Sequence, residues 1–209
     1  MNNISVNNNI AFTSRKNPIP LREIREKGLT LYEVACPREV NRKFVGEIAD
    51  FFNKNFIDKE VAAGENAEVQ DLLTKLLRIF CIDKYKSHYK RLFRKKKKTP
   101  DFSVLLARDN DKKELQGVCI AYSLGTKIKR YIFIDSLAVN ENFRKKGIAR
   151  EFLDMLCESS KKEFKGFCVA SREMAVGFYS KLGFRIKSQN QIEDEFVMSC
   201  LFKDFRGKK

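Results

Sequence analysis

The sequence predicts a mixed α/β fold in which one sheet is covered by helices. Three observations point there. Apolar stripes at helical spacing alternate with short apolar runs bounded by turn residues. The longest run, Tyr131 to Val139, is apolar on nearly both faces, as a strand covered on both sides requires. The order along the chain is strand, two helices, three strands, helix, strand, helix, two strands, which suits one sheet with helices packed on it.

Residues 1–28 read as an N-terminal arm, and the folded domain is expected over 29–205. Asn-rich sequence leads to Asn17-Pro18-Ile19-Pro20, where a regular element is disfavoured. Leu21 to Lys27 is expected as a short helix ending at Gly28, and Leu29 to Ala35 as the first strand. Pro37 suits a first helical turn. Val40, Phe44, Ile48, Phe51 and Phe52 then share one helical face, which ends near Asn55. A loop through Ala62-Ala63-Gly64 leads to a second helix, with Val69, Leu72, Leu73, Leu76, Leu77 and Phe80 as its stripe. Tyr85, Tyr89, Leu92 and Phe93 roughly continue that spacing. Packing on the core is preferred for these aromatics over stacking on bases.

Thr99-Pro100 breaks the pattern. Phe102 to Ala107 and Gln116 to Leu124 pair as a hairpin around Asp109-Asn110-Asp111. After the central strand, a helix over 147–162 turns Ile148, Phe152, Leu153, Leu156 and Cys157 inward. Phe167 to Ala170 is a short buried strand. Ser171 is expected to cap the next helix, where Ala175, Phe178, Tyr179 and Leu182 share a face and Gly183 takes the left-handed end position. Phe184 to Ser188 and Phe196 to Phe202 complete the sheet.

A chain of 209 residues suits one domain, and 43% hydrophobic residues can build a core. No run has the length and apolarity of a membrane span. The N-terminus shows no basic region leading into an apolar one, so no secretory signal is expected, and a transit peptide has little support. Six cysteines are scattered without metal-ligand or redox spacing. They are expected to be buried free thiols in a reducing compartment, the cytoplasm, with no metal bound. The net charge is +15, and nine basic residues lie between Lys84 and Lys98 with no acid among them. A solvated face is the simplest reading of that run. A contact with nucleic acid or an acidic surface is the sharper alternative, and the run could also steer an anionic cofactor.

The chemistry concentrates at Arg144-Lys145-Lys146-Gly147-Ile148-Ala149, between the central strand and the following helix. Amides at a helix start lack partners within the helix, and the helix dipole favours an anion there. Gly147 admits close approach, and three cations add charge. The stretch reads either as a pyrophosphate cradle or as a basic turn capping a core helix. It is neither the Gly-Lys-Ser/Thr phosphate loop nor the three-glycine dinucleotide fingerprint.

Two motifs in order give the chain its resemblance. Arg144, Gly147 and Ala149 match Arg/Gln-x-x-Gly-x-Gly/Ala directly after a strand ending Leu137-Ala138-Val139. Later, Phe178-Tyr179-Ser180-Lys181-Leu182-Gly183-Phe184 matches Phe-Tyr-x-Lys-x-Gly-Phe. From about Leu29 to Phe202 the chain resembles the GNAT superfamily of N-acetyltransferases. The resemblance implies a central, mostly antiparallel sheet flanked by helices, and acetyl-CoA as the donor. Amides around Lys145, Lys146, Gly147, Ile148, Ala149 and Arg150 would hold the pyrophosphate. Main-chain groups of Leu137 and Val139, either side of Ala138, would pair with the pantetheine arm, and the Leu137 amide would face the thioester oxygen. A bulge in the strand is needed to release those groups. Tyr179 matches the family tyrosine that protonates the leaving thiolate. Its plainer reading is a core tyrosine.

A second resemblance is shorter. Phe56-Ile57-Asp58-Lys59-Glu60 is similar to the Phe-x-x-Asp-Glu-Pro-Leu segment of invertebrate arylalkylamine N-acetyltransferases, with Val61 in place of the proline. It places Glu60 on the glutamate that serves as general base. Asp58, Glu60, Glu65, Glu68 and Asp71 also form an acidic patch, which reads either as an attractor of cationic amines or as a solvated loop. The only histidine, His88, lies in the basic run, so the histidine pair of the vertebrate enzymes is absent. Asp135 and Ser136 are further candidates, or simply a polar pair at a bulge. Phe51, Phe52 and Phe56 read as core more than as an aryl pocket. The expected activity is acetyl transfer from acetyl-CoA to a small primary amine, arylalkylamine or polyamine, by direct attack. The alternatives are acetylation of a protein N-terminus or lysine, and a non-catalytic basic binding module.

Overall fold

In chain order the strands are β1 (Arg22–Ile24), β2 (Leu29–Glu33), β3 (Phe102–Asp109), β4 (Leu115–Gly125), β5 (Arg130–Val139), β6 (Gly166–Arg172), β7 (Arg185–Asn190) and β8 (Glu195–Leu201). The helices are α1 (Arg42–Phe56), α2 (Ile148–Ser160) and α3 (Glu173–Lys181). These come from a computed structural model that describes residues 22–24, 27–34, 42–56, 102–125, 130–190 and 195–207. Glu60 and its acidic patch, the helix expected from Val69, and the basic run 84–98 lie outside the described residues. Among the described residues no helix is long and apolar enough to cross a membrane.

The strands form one sheet in the order β1-β2-β3-β4-β5-β6-β8-β7. Every neighbouring pair is antiparallel except β5 and β6. That parallel pair needs a crossover, and α2 supplies it. The mixed α/β expectation is met. α1 belongs to a separate compact unit from the sheet and is described by itself. Its Ile48, Phe51 and Phe52 are buried, on the face the sequence assigns to the core.

A bulge sets the character of β5. Ile120 pairs with Ser136 and Ala121 with Ile134, so Asp135 is an extra residue on β5. An extra residue shifts the alternation of side chains. Ile132 and Ile134 before it, and Leu137 and Val139 after it, therefore pack against the same core as α2. The run looks apolar on both faces in part because its phase changes midway. Ile148, Phe152, Leu153 and Leu156 of α2 are buried in this core, as their spacing predicts.

Two expectations are corrected. Within the stretch Leu21 to Lys27 expected as a short helix, Arg22–Ile24 instead forms the edge strand β1, with Arg22 opposite Leu31 and Ile24 opposite Leu29. So short a helix is marginal alone. The strand instead gains a hydrogen-bonded partner, burial of Ile24, and ion pairs from Arg22 to Glu151 (2.8 Å) and Glu158 (2.7 Å) of α2. Nor does Ser171 cap α3. The cap position is Arg172, and the Ser171 hydroxyl donates to the Arg172 carbonyl at 3.0 Å.

The end of α3 follows its sequence signal. Gly183 has φ +93°, and a Cβ there would lie 2.3 Å from the Asp204 carbonyl oxygen. The position needs glycine for both its backbone and its crowding. Beyond it, Phe202 and Phe205 pack edge-on against Phe167, with centroids 4.9 and 5.3 Å away. Cys119 and Cys200 are buried and Cys157 and Cys168 half-buried, all as free thiols. Burial pushes the thiols of Cys157, Cys168 and Cys200 up to about 11, so they stay protonated and unreactive near neutral pH.

Candidate active site

The site begins where β5 and β6 part. Their ladder covers Ile132 to Ile134 against Phe167 to Val169 and then stops. Beyond it, β5 runs on to Val139 while β6 continues to pair with β8 as far as Arg172. A slot therefore opens at the C-terminal ends of two parallel strands. Asn140 N donates to Gln116 O at 2.9 Å, which marks Asn140 and, by alternation, Ala138 as the residues bonded toward β4. Leu137 and Val139 accordingly turn their N–H and C=O groups toward the slot. The bulge expected to release these groups is the one at Asp135. The Ser136 hydroxyl donates to the Asp135 carboxylate at 3.0 Å, so this pair is bound to itself beside the slot.

The strand then leads into the cradle. Asn140 accepts from Asn142 N and starts a single 3-10 turn over Glu141–Phe143. The Arg144 Nε donates back to the Val139 carbonyl at 3.2 Å, fixing the strand end against the turn. That bond uses one lone pair of the carbonyl. Lys145 (φ +61°) and Gly147 (φ +83°) both take left-handed backbone conformations, and Lys146 lies over the Phe143 ring at 4.6 Å. Gly147 is the cap position of α2 and no side chain caps the helix. The first helical bond is Glu151 N to Gly147 O at 3.0 Å, so the amides of Ile148, Ala149 and Arg150 have no helical acceptor. Arg144, Lys145, Lys146 and Arg150 are exposed around them. Uncapped amides, a glycine at the approach and surrounding cations fit a diphosphate.

Tyr179 comes from α3. It is 5% exposed and packs against Phe178 and Phe184, with centroids 5.0 and 5.1 Å away. Burial raises its pKa well above the ordinary tyrosine value, and the Cys119 thiol adds to the rise. Cys119 sits opposite Leu137 in the β4–β5 ladder. Tyr179 and Cys119 thus share one buried cluster near Leu137. The Tyr179 ring is buried, and its hydroxyl is not among the buried polar atoms left without a partner. A groove of about 680 Å³ lies just past the C-terminal end of α3, lined by Ser180, Arg185, Lys203 and Arg206 among others, and includes no cradle residue.

The structure thus brings Leu137, Ala138, Val139, the cradle from Arg144 to Arg150, and Tyr179 to one end of the sheet. Glu60 lies outside the described residues. One residue at this end was not anticipated. Lys27 donates to the main-chain carbonyl of Lys146. The signal for it was topological. β2 runs antiparallel to β5, so the start of β2 lies at the same end of the sheet as the end of β5, and Lys27 lies two residues before that start.

A family profile described as "Acetyltransferase (GNAT) family" matches residues 69–184, more than half of the 209-residue chain. No curated protein matches the chain in sequence. Among solved structures, the chain is similar to the PaiA N-acetyltransferase from Thermoplasma acidophilum in complex with coenzyme A. The TM-score is 0.54 at 14% identity, over 82% of this chain and 98% of that one. It is also similar to an acetyltransferase of the GNAT family from Staphylococcus aureus Mu50. There the TM-score is 0.52 at 15% identity, over 83% of this chain and 99% of that one. At these identities the likeness is one of fold, and it agrees with the profile. The chain belongs to the acetyltransferase (GNAT) family and is an acyltransferase with acetyl-CoA as co-substrate.

Proposed function

We propose that this protein transfers the acetyl group of acetyl-CoA to a small primary amine, of arylalkylamine or polyamine type, by direct attack on the thioester. The observation that carries the reading is the slot between β5 and β6, with the uncapped start of α2 at its mouth. Acetyl-CoA supplies an activated acyl group. The amides of Ile148 to Arg150, with the charges of Arg144, Lys145 and Lys146, bind its diphosphate. The main chain of Leu137 and Val139 orients the pantetheine arm as an added strand would be oriented. The Leu137 N–H points to where the thioester oxygen gathers negative charge as the amine attacks. Tyr179 holds a proton at its hydroxyl and delivers it to the departing sulfur.

An amine arrives as an ammonium and must lose a proton before it can attack. Glu60 takes that proton, directly or through water, within the acidic patch formed with Asp58, Glu65, Glu68 and Asp71. The patch concentrates cations in a protein of net charge +15. The acid residues and their resemblance to the arylalkylamine enzymes support the acceptor side. The buried free thiols support a reducing compartment, the cytoplasm.

The test is release of CoA from acetyl-CoA with a panel of aromatic amines, polyamines and peptides. Turnover on the amines is expected, and turnover confined to peptides would overturn the acceptor assignment. On the preferred amine, Glu60→Gln should lower the rate at neutral pH roughly tenfold, the low side of what a general base contributes. The deficit should shrink as pH rises and the amine loses its proton unaided. A deficit that is constant with pH would remove Glu60 from the proton path.

A further inference from the structure

We propose that Lys27 belongs to the donor site, where it fixes the cradle turn and adds its positive charge for the diphosphate of acetyl-CoA. The inference rests on the donor reading above and concerns a residue outside both family motifs. Lys27 is bonded to the carbonyl of Lys146, the residue between the two left-handed positions Lys145 and Gly147. Because a peptide unit is planar, holding that carbonyl also sets the direction of the Gly147 N–H. The ammonium lies 3.6 Å from the point that a Cβ on residue 147 would occupy, so its charge stands beside the glycine at the start of α2. An ammonium has three protons, and the bond to Lys146 uses one.

The rest of the edge is built to hold Lys27 there. Gly28 has φ +60°, and its carbonyl accepts from Asn110 N at 2.8 Å, which joins the start of β2 to the β3–β4 turn. On the other side, β1 is tied to α2 by Arg22, whose guanidinium meets the buried Glu151 in the first turn and Glu158 further along. The same short ribbon thus grips α2 along its side and places a cation at its start. Arg22 is spent on carboxylates, whereas Lys27 meets only a carbonyl, which leaves its charge unneutralised among the described residues. An unneutralised cation beside Arg144, Lys145 and Lys146 repels them when the cradle is empty. A bound diphosphate relieves that repulsion, so the charge acts on donor binding more than on the fold.

Calorimetric titration of the full chain with CoA, dephospho-CoA and pantetheine tests this. Lys27→Gln retains a donor for the Lys146 carbonyl but loses the charge. It should weaken CoA and dephospho-CoA alike, by about five- to tenfold at low ionic strength, in keeping with a partly exposed charged contact. Pantetheine, which has no phosphate, should bind the variant and the wild type equally. The difference for CoA should close near 1 M salt, where the screening length is about 3 Å. Lys27→Arg should restore affinity for CoA. Equal binding of CoA by Lys27→Gln and wild type would overturn the proposal. So would a matching loss for pantetheine, which would make the role purely structural. A loss for CoA but not dephospho-CoA would move the contact to the 3′-phosphate and overturn the assignment to the diphosphate. If the wild type itself binds no CoA, the donor reading fails first, and the two failures are distinct.

Discussion

Replacing Tyr179 by phenylalanine should lower kcat by about 10²-fold, the low side of the range for a proton donor in the transition state. CoA affinity should stay within about twofold, since the ring and its packing are kept. Phe178, Phe184 and the core hold the ring on three sides, and only the hydroxyl is lost. Burial, together with the Cys119 thiol, keeps the phenol neutral over the whole working range. A phenol this hard to ionise is a weak acid in water. In the slot, however, the departing thiolate is desolvated as well, and desolvation raises its basicity in the same sense. The variant and the wild type should therefore lose activity at the same alkaline pH, because ionisation of Tyr179 is not what limits the rate there.

The same shift has a stability sign. The folded-state pKa is raised above the unfolded one. Its contribution is complete below the ordinary tyrosine value of about 10 and is lost as pH rises from there toward the folded value. Tyr179→Phe should accordingly unfold less steeply above pH about 10. Full turnover in Tyr179→Phe would return the residue to a plain core role.

Gly147→Val should raise the Kd for CoA about 30-fold or more, equivalent to about 2 kcal/mol of lost contact. The backbone there has φ +83°, which costs an L-residue roughly 1–2 kcal/mol. A branched side chain either forces the turn to relax or stays and fills the approach. Relaxation rotates the peptides that lead into Ile148 and Ala149, and the uncapped amides no longer converge. Staying brings the side chain against the Lys27 ammonium and the path of the diphosphate. Both routes reach the same result through the donor. Residue 147 is exposed, and among the described residues its one close neighbour is the end of a flexible lysine, so the fold should lose little beyond that backbone strain. Undiminished CoA affinity in a folded Gly147→Val would mean that the start of α2 is not the diphosphate site.

The parts legible in the sequence are those in which chemistry and chain are local. The central strand, the cradle and the start of α2 occupy one continuous stretch, so the strand-to-helix turn shows in residue order. Phe178 to Phe184 works the same way, because the helix end and Gly183 lie within a few residues of Tyr179. The bulge was needed to make the slot, and the polar pair Asp135-Ser136 marked its place, which the pairing with Ile120 and Ala121 fixes at Asp135. What sequence reading missed depends on contacts across the chain. The helix assigned to Leu21–Lys27 follows local propensity, and pairing with β2 overrides it. Lys27 and Lys146 are 119 positions apart, and Arg22 and Glu151 are 129 apart, so no local pattern joins them. Ser171 had the right residue type for a cap, but the helix starts one residue later than that role requires.

The central claim is that an anionic acyl donor is held through its diphosphate at the uncapped start of α2. Titration of the wild-type protein with CoA and with pantetheine tests it most directly. CoA should bind in the micromolar range usual for such co-substrates, and pantetheine about 10²-fold more weakly. Equal affinity for the two ligands, or no binding of CoA, would contradict the account.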